Sequence, residues 1–325
     1  MIQMKTQVLG TAKILAVESK TQPPKLEKNN LSQFTIDYDK YFKNNFGFRN
    51  YFIYLSNQFS TKHFKIAKTS SVLVGTEGWL FFTQGLTDLW NKQPYTNTQY
   101  IDIKNNTNTV AGKFKKAQIT YLEIYTPDKH SIYPEYLGFN FIANPHSRLE
   151  QRIAIIKEID PQNLVDLKTE LLKNKKTEQL YYKADTHWNN YGSFLAYEKI
   201  MEKVKRDYPN IEPLTKDDFE IIVKPNEYRT DLSKNILSDY KDTEILFSLK
   251  ESALQNKLTS DKKLEKVVVY YDSFFDPKYN WGTTNFLKYH FNTVELIENY
   301  KGFRTDEIIE QHPQVVINQR VERHL

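Results

Sequence analysis

Apolar runs alternate with segments of helical periodicity over most of the chain, from residue 109 to residue 318. The runs with the length of strands are 119–127, 163–166, 266–271, 293–297 and 314–318. Helices are predicted between them at 109–117, 146–158, 167–173, 191–208, 282–291 and 305–311. Within the run 266–271, the stretch from Val267 to Tyr271 is continuously apolar, as in a strand buried on both faces of a parallel sheet. This alternation predicts an α/β fold with a doubly wound parallel sheet.

The N-terminal third follows other patterns. Apolar residues recur at helical intervals from Phe34 to Phe64, and a turn near Asn45–Gly47 interrupts them, so we predict two helices. Ser71–Phe82 has two apolar runs around a Gly-Thr-Glu-Gly turn, which predicts a β-hairpin. The polar sequence that follows, up to about residue 108, is expected to be a surface excursion. Later in the chain, short strands are predicted near 219–223 and 245–248.

The first 33 residues differ from the rest in composition. They contain a Pro pair at Pro23–Pro24, their apolar stretch is far shorter than a membrane span, and they lack a clean signal-peptide layout. We expect residues 1–33 to be a tether or the remnant after an N-terminal anchor. Residues 34–325 are then one catalytic domain that includes the N-terminal helices.

The amino-acid composition excludes several kinds of functional site. The 325 residues contain no cysteine, which excludes disulfides, thiolate metal sites and cysteine nucleophiles. The net charge of +5 comes from basic and acidic residues mixed along the chain without a basic block, so nothing in it indicates nucleic-acid binding. A hydrophobic fraction of 39% is ample for an ordered core.

Polar residues with catalytic potential follow two of the apolar runs. Ser273 comes directly after 266–271, and Asp185 and His187 come just after the apolar run 180–182. Active sites of open α/β sheets form beyond the carboxyl ends of strands. A serine hydroxyl needs a base, and the base needs a third group to hold its tautomer. Ser273, His187 and Asp185 therefore form a candidate triad.

Other interpretations of these residues stay open on residue chemistry alone. Ser273 also fits a helix N-cap, and Asp185 and His187 also fit a turn with a structural histidine. Metal ligation is disfavoured because the other six histidines stand alone and no third ligand lies near the pair.

Acyl transfer also requires groups that stabilise an oxyanion and shape the site. The amide of Ser273 is a candidate donor if a helix begins near it. Tyr279 and Arg304 are side-chain candidates, although packing and surface charge explain them equally well. Trp188 is expected to wall the site.

Asp185–Trp188 resembles the D-x-H-W signature of the alginate O-acetyltransferase family, whose members are SGNH-hydrolase-like proteins. Further motifs agree in the same order along the chain and extend the resemblance over residues 34–325: Asn45–Asn50, Val74–Phe82, Thr126–Lys129, Ile132–Leu137, Val165–Leu167, Asp272–Phe274 and Val321–Leu325. The Asp-His pair precedes the serine, which is the permuted motif order of this family. One departure is Tyr271, because the family motif usually has glycine before the aspartate.

The resemblance implies a function and a setting. Ser273 would be the acetyl-accepting nucleophile, His187 the base and Asp185 its partner, with Tyr279 and, less directly, Arg304 matching family site residues. The protein would be a monomer that acts outside the cytoplasm on a bacterial exopolysaccharide or cell-wall polymer. It would need no cofactor, and a membrane-bound O-acyltransferase would deliver the acetyl donor. An acetylesterase with the same triad and a non-catalytic polymer-binding or scaffold module remain alternatives.

Overall fold

A computed structural model describes residues 22–26, 30–45, 49–67, 69–86, 94–138, 146–226, 230–236, 240 and 242–325. The chain divides into two compact units. The first is Met1–Lys68 with Ile236–Asp239, and the second is Thr69–Asn235 with Tyr240–Leu325. No helix in the described part of the chain is long and apolar enough to cross a membrane.

The first unit is helical. Helix α1 spans Leu31–Asn45 and helix α2 spans Arg49–Phe59, continuing into a π-helical turn at Ser60–Phe64. The two predicted helices are therefore confirmed, while residues 46 and 47 of the predicted turn lie outside the described residues. The predicted inclusion of these helices in one catalytic domain stays a prediction.

The second unit contains the sheets. Its strands, in chain order, are β1 (Val72–Val74), β2 (Leu80–Phe82), β3 (Thr120–Thr126), β4 (Leu164–Val165), β5 (Phe219–Pro225), β6 (Thr243–Leu249), β7 (Leu264–Tyr271), β8 (Phe291–Glu298) and β9 (Val315–Val321). Five of them form a parallel sheet in the order β4-β3-β9-β7-β8. The predicted parallel α/β sheet is confirmed, and so are the β1-β2 hairpin and the short strands near 219–223 and 245–248. These two strands, β5 and β6, pair antiparallel.

Helices cover both faces of the parallel sheet. The helices of this unit are α3 (Asn97–Lys116), α4 (Lys129–Ile132), α5 (Arg148–Ile159), α6 (Leu167–Asn174), α7 (Asn190–Asp207), α8 (Asp231–Asn235), α9 (Glu251–Lys257), α10 (Thr284–Leu287) and α11 (Thr305–Ile309). Strand β7 shows why the sheet needs two layers of helices. Val267 and Val269 pack in the core cluster that includes α7, while Val268 and Tyr270 pack in the cluster that includes α3 and α11. Its continuous apolar run reflects burial on both faces.

Three predicted elements differ from the structure. The stretch up to residue 108 is not an excursion throughout, because α3 begins at Asn97 behind a capping box formed by Thr96 and Gln99; residues 87–93 lie outside the described residues. The predicted helix 282–291 shrinks to the single turn of α10, since β8 begins at Phe291. The run 180–182 is not a strand of the sheet, and Tyr181 forms only an isolated bridge with Trp188.

Candidate active site

Ser273 lies on a tight turn at the carboxyl edge of the parallel sheet. This turn, Asp272–Phe275, is called the Ser273 turn below. The Asp272 carboxylate accepts hydrogen bonds from the amides of Phe274 (3.1 Å) and Val321 (2.6 Å), and its own amide donates to Gln319 Oε1 (2.9 Å). Burial raises the pKa of Asp272. The turn is thereby tied to the ends of both β7 and β9.

Asp185 and His187 lie on an irregular segment, Tyr182–His187, called the Asp–His loop below. The Tyr181–Trp188 bridge closes its base, and the Tyr182 amide donates to the carbonyl of His187 (3.2 Å). The loop is thus not the end of a sheet strand, as the sequence suggested, but a separate segment that reaches the same edge of the sheet as Ser273. Asp185 is 3% and His187 is 8% exposed.

The three predicted residues form one hydrogen-bonded chain. His187 Nδ1 lies 2.7 Å from Asp185 Oδ1, and His187 Nε2 lies 2.7 Å from Ser273 Oγ. Asp185 also accepts the amide of His187 at Oδ1 (3.0 Å) and the amide of Asp231 at Oδ2 (3.1 Å). All four distances are those of normal hydrogen bonds.

The charge of Asp185 sets the tautomer of His187. Burial alone would raise the pKa of Asp185, but the hydrogen bonds and charge of His187 and the two backbone amides lower it to about 2. An ionised carboxylate only accepts hydrogen bonds, so His187 Nδ1 carries the proton. Nε2 is then free to accept the hydroxyl proton of Ser273.

Aromatic side chains surround the imidazole. The rings of Phe274, Trp281 and Tyr279 have centroids 4.8, 5.5 and 6.0 Å from that of His187. Tyr279 therefore lies in the site, stacked on Trp281 at 4.7 Å. Trp188 is completely buried, packs edge-on against Phe274, and donates its indole N–H to the carbonyl of Trp281 (3.0 Å). Its predicted role as a wall of the site stays a prediction.

Arg304 does not join this group. Its guanidinium pairs with Glu307 at the start of α11, 3.2 Å away, and its side chain is 63% exposed. The observed contacts give no support to its predicted role in the site, which stays a prediction. No helix begins at Ser273, because residues 273–275 form a turn and the next helix is α10.

The structure adds two carboxylate groupings that could in principle hold a metal. Asp231 brings a third ligand atom within 4.8 Å of Asp185 and His187, which corrects the sequence argument that the pair lacks one. Both ring nitrogens of His187 are already engaged by Asp185 and Ser273, and Asp231 accepts the amide (2.9 Å) and hydroxyl (2.5 Å) of Thr186. The geometry of this grouping therefore favours proton transfer over metal binding.

The second grouping, Asp128, His130 and Glu322, lies buried where β3 and β9 end. Arg323 forms an ion pair with Asp128, and Glu322 accepts the Ser131 hydroxyl (2.8 Å) and the Asp128 amide (2.7 Å). Burial raises the pKa of Glu322 to about 8, so its carboxyl group is mostly protonated and uncharged at neutral pH.

Sequence reasoning missed several residues that hold the site. Asp231 and Asp242 lie in the stretch 209–262, which has weak periodicity, and Trp281 lies in an irregular segment. Lys129 could have been predicted from the sequence, because it follows the carboxyl end of β3, where site residues are expected. A cavity of about 700 Å³ lies elsewhere, at the amino ends of β3 and β4, with Lys115, Asn163 and Arg206 in its lining. It contains none of the three residues.

Residues 72–280 match the family model described as "SGNH hydrolase-like domain, acetyltransferase AlgX". Among solved structures, the O-acetyltransferase domain of Pseudomonas putida AlgJ is 19% identical with a TM-score of 0.51, covering 78% of this chain and 91% of that one. Bacillus cereus PatB1 with a sulfonyl adduct is 13% identical with a TM-score of 0.54, covering 78% and 96%.

Pseudomonas aeruginosa AlgX is 15% identical with a TM-score of 0.54, covering 78% of this chain and 64% of that one. At these identities the solved structures establish a shared fold. No functionally curated protein matches the chain significantly.

Proposed function

Since the chain belongs to the AlgX family of SGNH hydrolase-like acetyltransferases, we propose that it transfers O-acetyl groups to hydroxyls of a bacterial exopolysaccharide or cell-wall polymer through an acetyl-serine intermediate. The observation that carries the proposal is the continuous hydrogen-bonded chain from Asp185 through His187 to Ser273. A family match identifies the type of chemistry, and this chain supplies an activated hydroxyl to perform it.

The reaction proceeds in two steps. Ser273 Oγ attacks the acetyl carbonyl carbon of the donor while His187 Nε2 takes its proton; the bond to the leaving group breaks, and the leaving group receives that proton. A sugar hydroxyl then loses its proton to His187 and attacks the acetyl-serine, and Ser273 leaves and regains the proton. Asp185 stabilises the imidazolium formed in both steps.

An oxyanion forms in each step and requires donors. Within the described residues, the amide of Ser273 donates to no acceptor, because the turn's internal hydrogen bonds come from Phe274 and Phe275. This amide is therefore available to the developing charge. Tyr279 lies beside His187 and contributes to the acceptor site. No step requires a cofactor.

The proposal includes a cellular setting. The protein acts as a monomer outside the cytoplasm, in the periplasm or at the outer face of the cell membrane, tethered by its N-terminal segment. Free acetyl-CoA is a cytoplasmic donor, so an acetyl group is passed on by a membrane-bound O-acyltransferase. The similarity to the O-acetyltransferase domain of AlgJ and to AlgX supports the transfer reaction and leaves the polymer open.

The test combines a chromogenic acetyl ester with oligosaccharide acceptors. We expect acetylated oligosaccharide from the wild-type protein and a drop of about 10³-fold or more in Ser273→Ala, as for loss of a triad member. A sulfonyl fluoride should label Ser273, since related PatB1 has been captured with a sulfonyl adduct. The matched control is Ser248→Ala on the exposed side of β6, which should retain full activity.

Two other outcomes would each favour an alternative function. Release of acetate that no oligosaccharide diverts would replace the transferase by an acetylesterase with the same triad, because the two differ in how water is excluded. Normal polymer acetylation in cells that carry only Ser273→Ala would instead indicate a polymer-binding or scaffold module.

A further inference from the structure

The motif Thr126–Lys129 has no role in the mechanism above, yet its last residue reaches the site. Lys129 follows the carboxyl end of β3 and begins the short helix α4. Its side chain is only 3% exposed, which is rare for lysine unless its charge is compensated. The Nζ atom lies 5.6 Å from the ring centroid of Trp79 and 5.3 Å from that of Phe81. Aromatic rings rather than water therefore flank this ammonium.

All three N–H groups of the Lys129 ammonium have acceptors on the Asp–His loop. Nζ lies 3.0 Å from the carbonyl oxygen of Tyr182, 2.9 Å from that of Lys183 and 2.7 Å from that of Asp185. An ammonium has three donors and no acceptor, so these contacts use its full capacity. One side chain thus fixes the path of the backbone that presents Asp185.

We propose that Lys129 is a positioning residue that holds the Asp–His loop in register with Ser273, acting through Asp185 on the orientation of His187. The inference rests on the proposed acetyl transfer for its kinetic consequence but not for its structural one. Asp185 is bound to Lys129 through its carbonyl and to His187 through its carboxylate, so a shift of this backbone moves the imidazole directly.

The charges around Lys129 also support a positioning role. The carboxylates of Asp242, Asp231 and Asp185 face the Lys129 ammonium, and their negative charge opposes the lowering of its pKa, which burial brings to about 8. Lys129 therefore stays mostly protonated at neutral pH. Lys183 lies nearby over Trp79 at 5.8 Å, and its Nζ donates to the carbonyl of Glu77 (3.2 Å) and not to the loop. Within the described residues, Lys129 is thus a buried cation whose charge offsets that of the carboxylates around the loop.

The experiment compares Lys129→Met with the matched control Lys175→Met. Lys175 also donates to a backbone carbonyl, that of Ile132 (2.6 Å), and pairs with Glu135, but it does not touch the Asp–His loop. Acylation by the chromogenic ester and hydrogen exchange of amides 183–187 are measured across pH for both variants. Hydrogen exchange does not depend on acetyl transfer, so the two proposals can fail separately.

We expect Lys129→Met to slow acylation about 30- to 100-fold with little change in KM, as for small misplacements of catalytic groups. Its loop amides should exchange faster. Its pH–activity profile should differ from that of the wild type, because the charge of Lys129 is then absent at every pH. Lys129→Arg, which keeps charge and donors, should recover part of the rate, and Lys175→Met should match the wild type.

A Lys129→Met protein with wild-type rate, pH profile and loop exchange would overturn the proposal. If that variant does not fold, Lys129→Gln replaces it, because its shorter side chain has two donors and no charge and cannot make the three contacts. A wild-type rate and wild-type loop exchange in this variant would equally overturn the proposal. An inactive wild type whose loop loosens in Lys129→Met would refute the acetyl-transfer proposal and leave the positioning role standing.

Discussion

The Ser273 turn and the Asp–His loop meet at a single hydrogen bond, but different kinds of contact hold them in place. The Ser273 turn extends β7 and is bound to the neighbouring strand end through Asp272 and Gln319. The Asp–His loop belongs to no sheet, and side chains from distant segments hold its backbone. Lys129 binds three of its carbonyls, and the Asp242 carboxylate accepts the amides of Lys183 and Ala184 (2.7 Å for Ala184).

The difference shows two ways to build one site. A strand end gives a position that the sheet itself determines, so the turn needs few special contacts. A free loop must have each buried amide and carbonyl satisfied individually, since an unpaired buried group costs about 1–3 kcal/mol. We therefore expect the catalytic geometry of this protein to be most sensitive on the side of the loop.

The largest loss of activity is expected when the hydrogen bond between Asp185 and His187 within the Asp–His loop is altered. Asp185→Asn removes the charge that keeps the proton on His187 Nδ1, and the amide can hold the wrong tautomer. In a Ser-His-Asp triad this change lowers kcat by about 10³–10⁴-fold. Burst kinetics with the chromogenic ester measure it, and thermal unfolding checks the fold. A loss below tenfold would mean that Asp185 is not the partner of the base.

A paired experiment tests the comparison directly. Asp242→Ala and Asp272→Ala each remove a buried carboxylate that accepts two backbone amides. Each should cost about 2–4 kcal/mol in the free energy of unfolding, because two buried N–H groups lose their acceptor. Asp242→Ala should in addition slow acylation about tenfold or more, through disorder of the loop.

Asp272→Ala, in contrast, should lose mainly stability, since the sheet still positions the Ser273 turn. Urea unfolding and acylation rates of both variants provide the measurements. If Asp272→Ala lost more activity than Asp242→Ala at equal stability, the proposed difference between turn and loop would be reversed.

The smallest effect is expected outside both regions. Arg304→Ala removes an exposed ion pair with Glu307, and such surface pairs contribute about 0–1 kcal/mol. Acylation and KM for oligosaccharide should stay within twofold of the wild type. A large rise in KM would restore Arg304 as the substrate-binding residue that its place in the sequence suggested.

Tyr271 is the position at which this chain departs from the family motif. It ends β7, is partly buried, and packs with the same core cluster as Val267 and Val269. It therefore occupies the face of the sheet that carries α7, where the usual glycine would leave space. The strand keeps its pairing with β8 at this position, through Glu298. The substitution leaves the backbone of the Ser273 turn in the sheet's register.

The sequence by itself determined the parallel sheet, most of its strands and the three residues that the structure links. Burial on both faces leaves a continuous apolar run, as in 266–271, and a strand end marks the place of Ser273. Local periodicity failed where long-range contacts decide. The run 180–182 resembles a strand but forms only an isolated bridge.

Only the tertiary structure decided what surrounds the three residues. The hydrogen bonds of Lys129, Asp231 and Asp242 to the Asp–His loop span up to 59 positions along the chain, and they leave no periodic pattern. The positions of Trp188 and Arg304 were likewise decided by the folded chain. Trp188 is completely buried and packs against Phe274, whereas Arg304 is exposed and pairs with Glu307. Hydrophobic pattern records which face is buried; only the folded chain determines which buried polar groups meet.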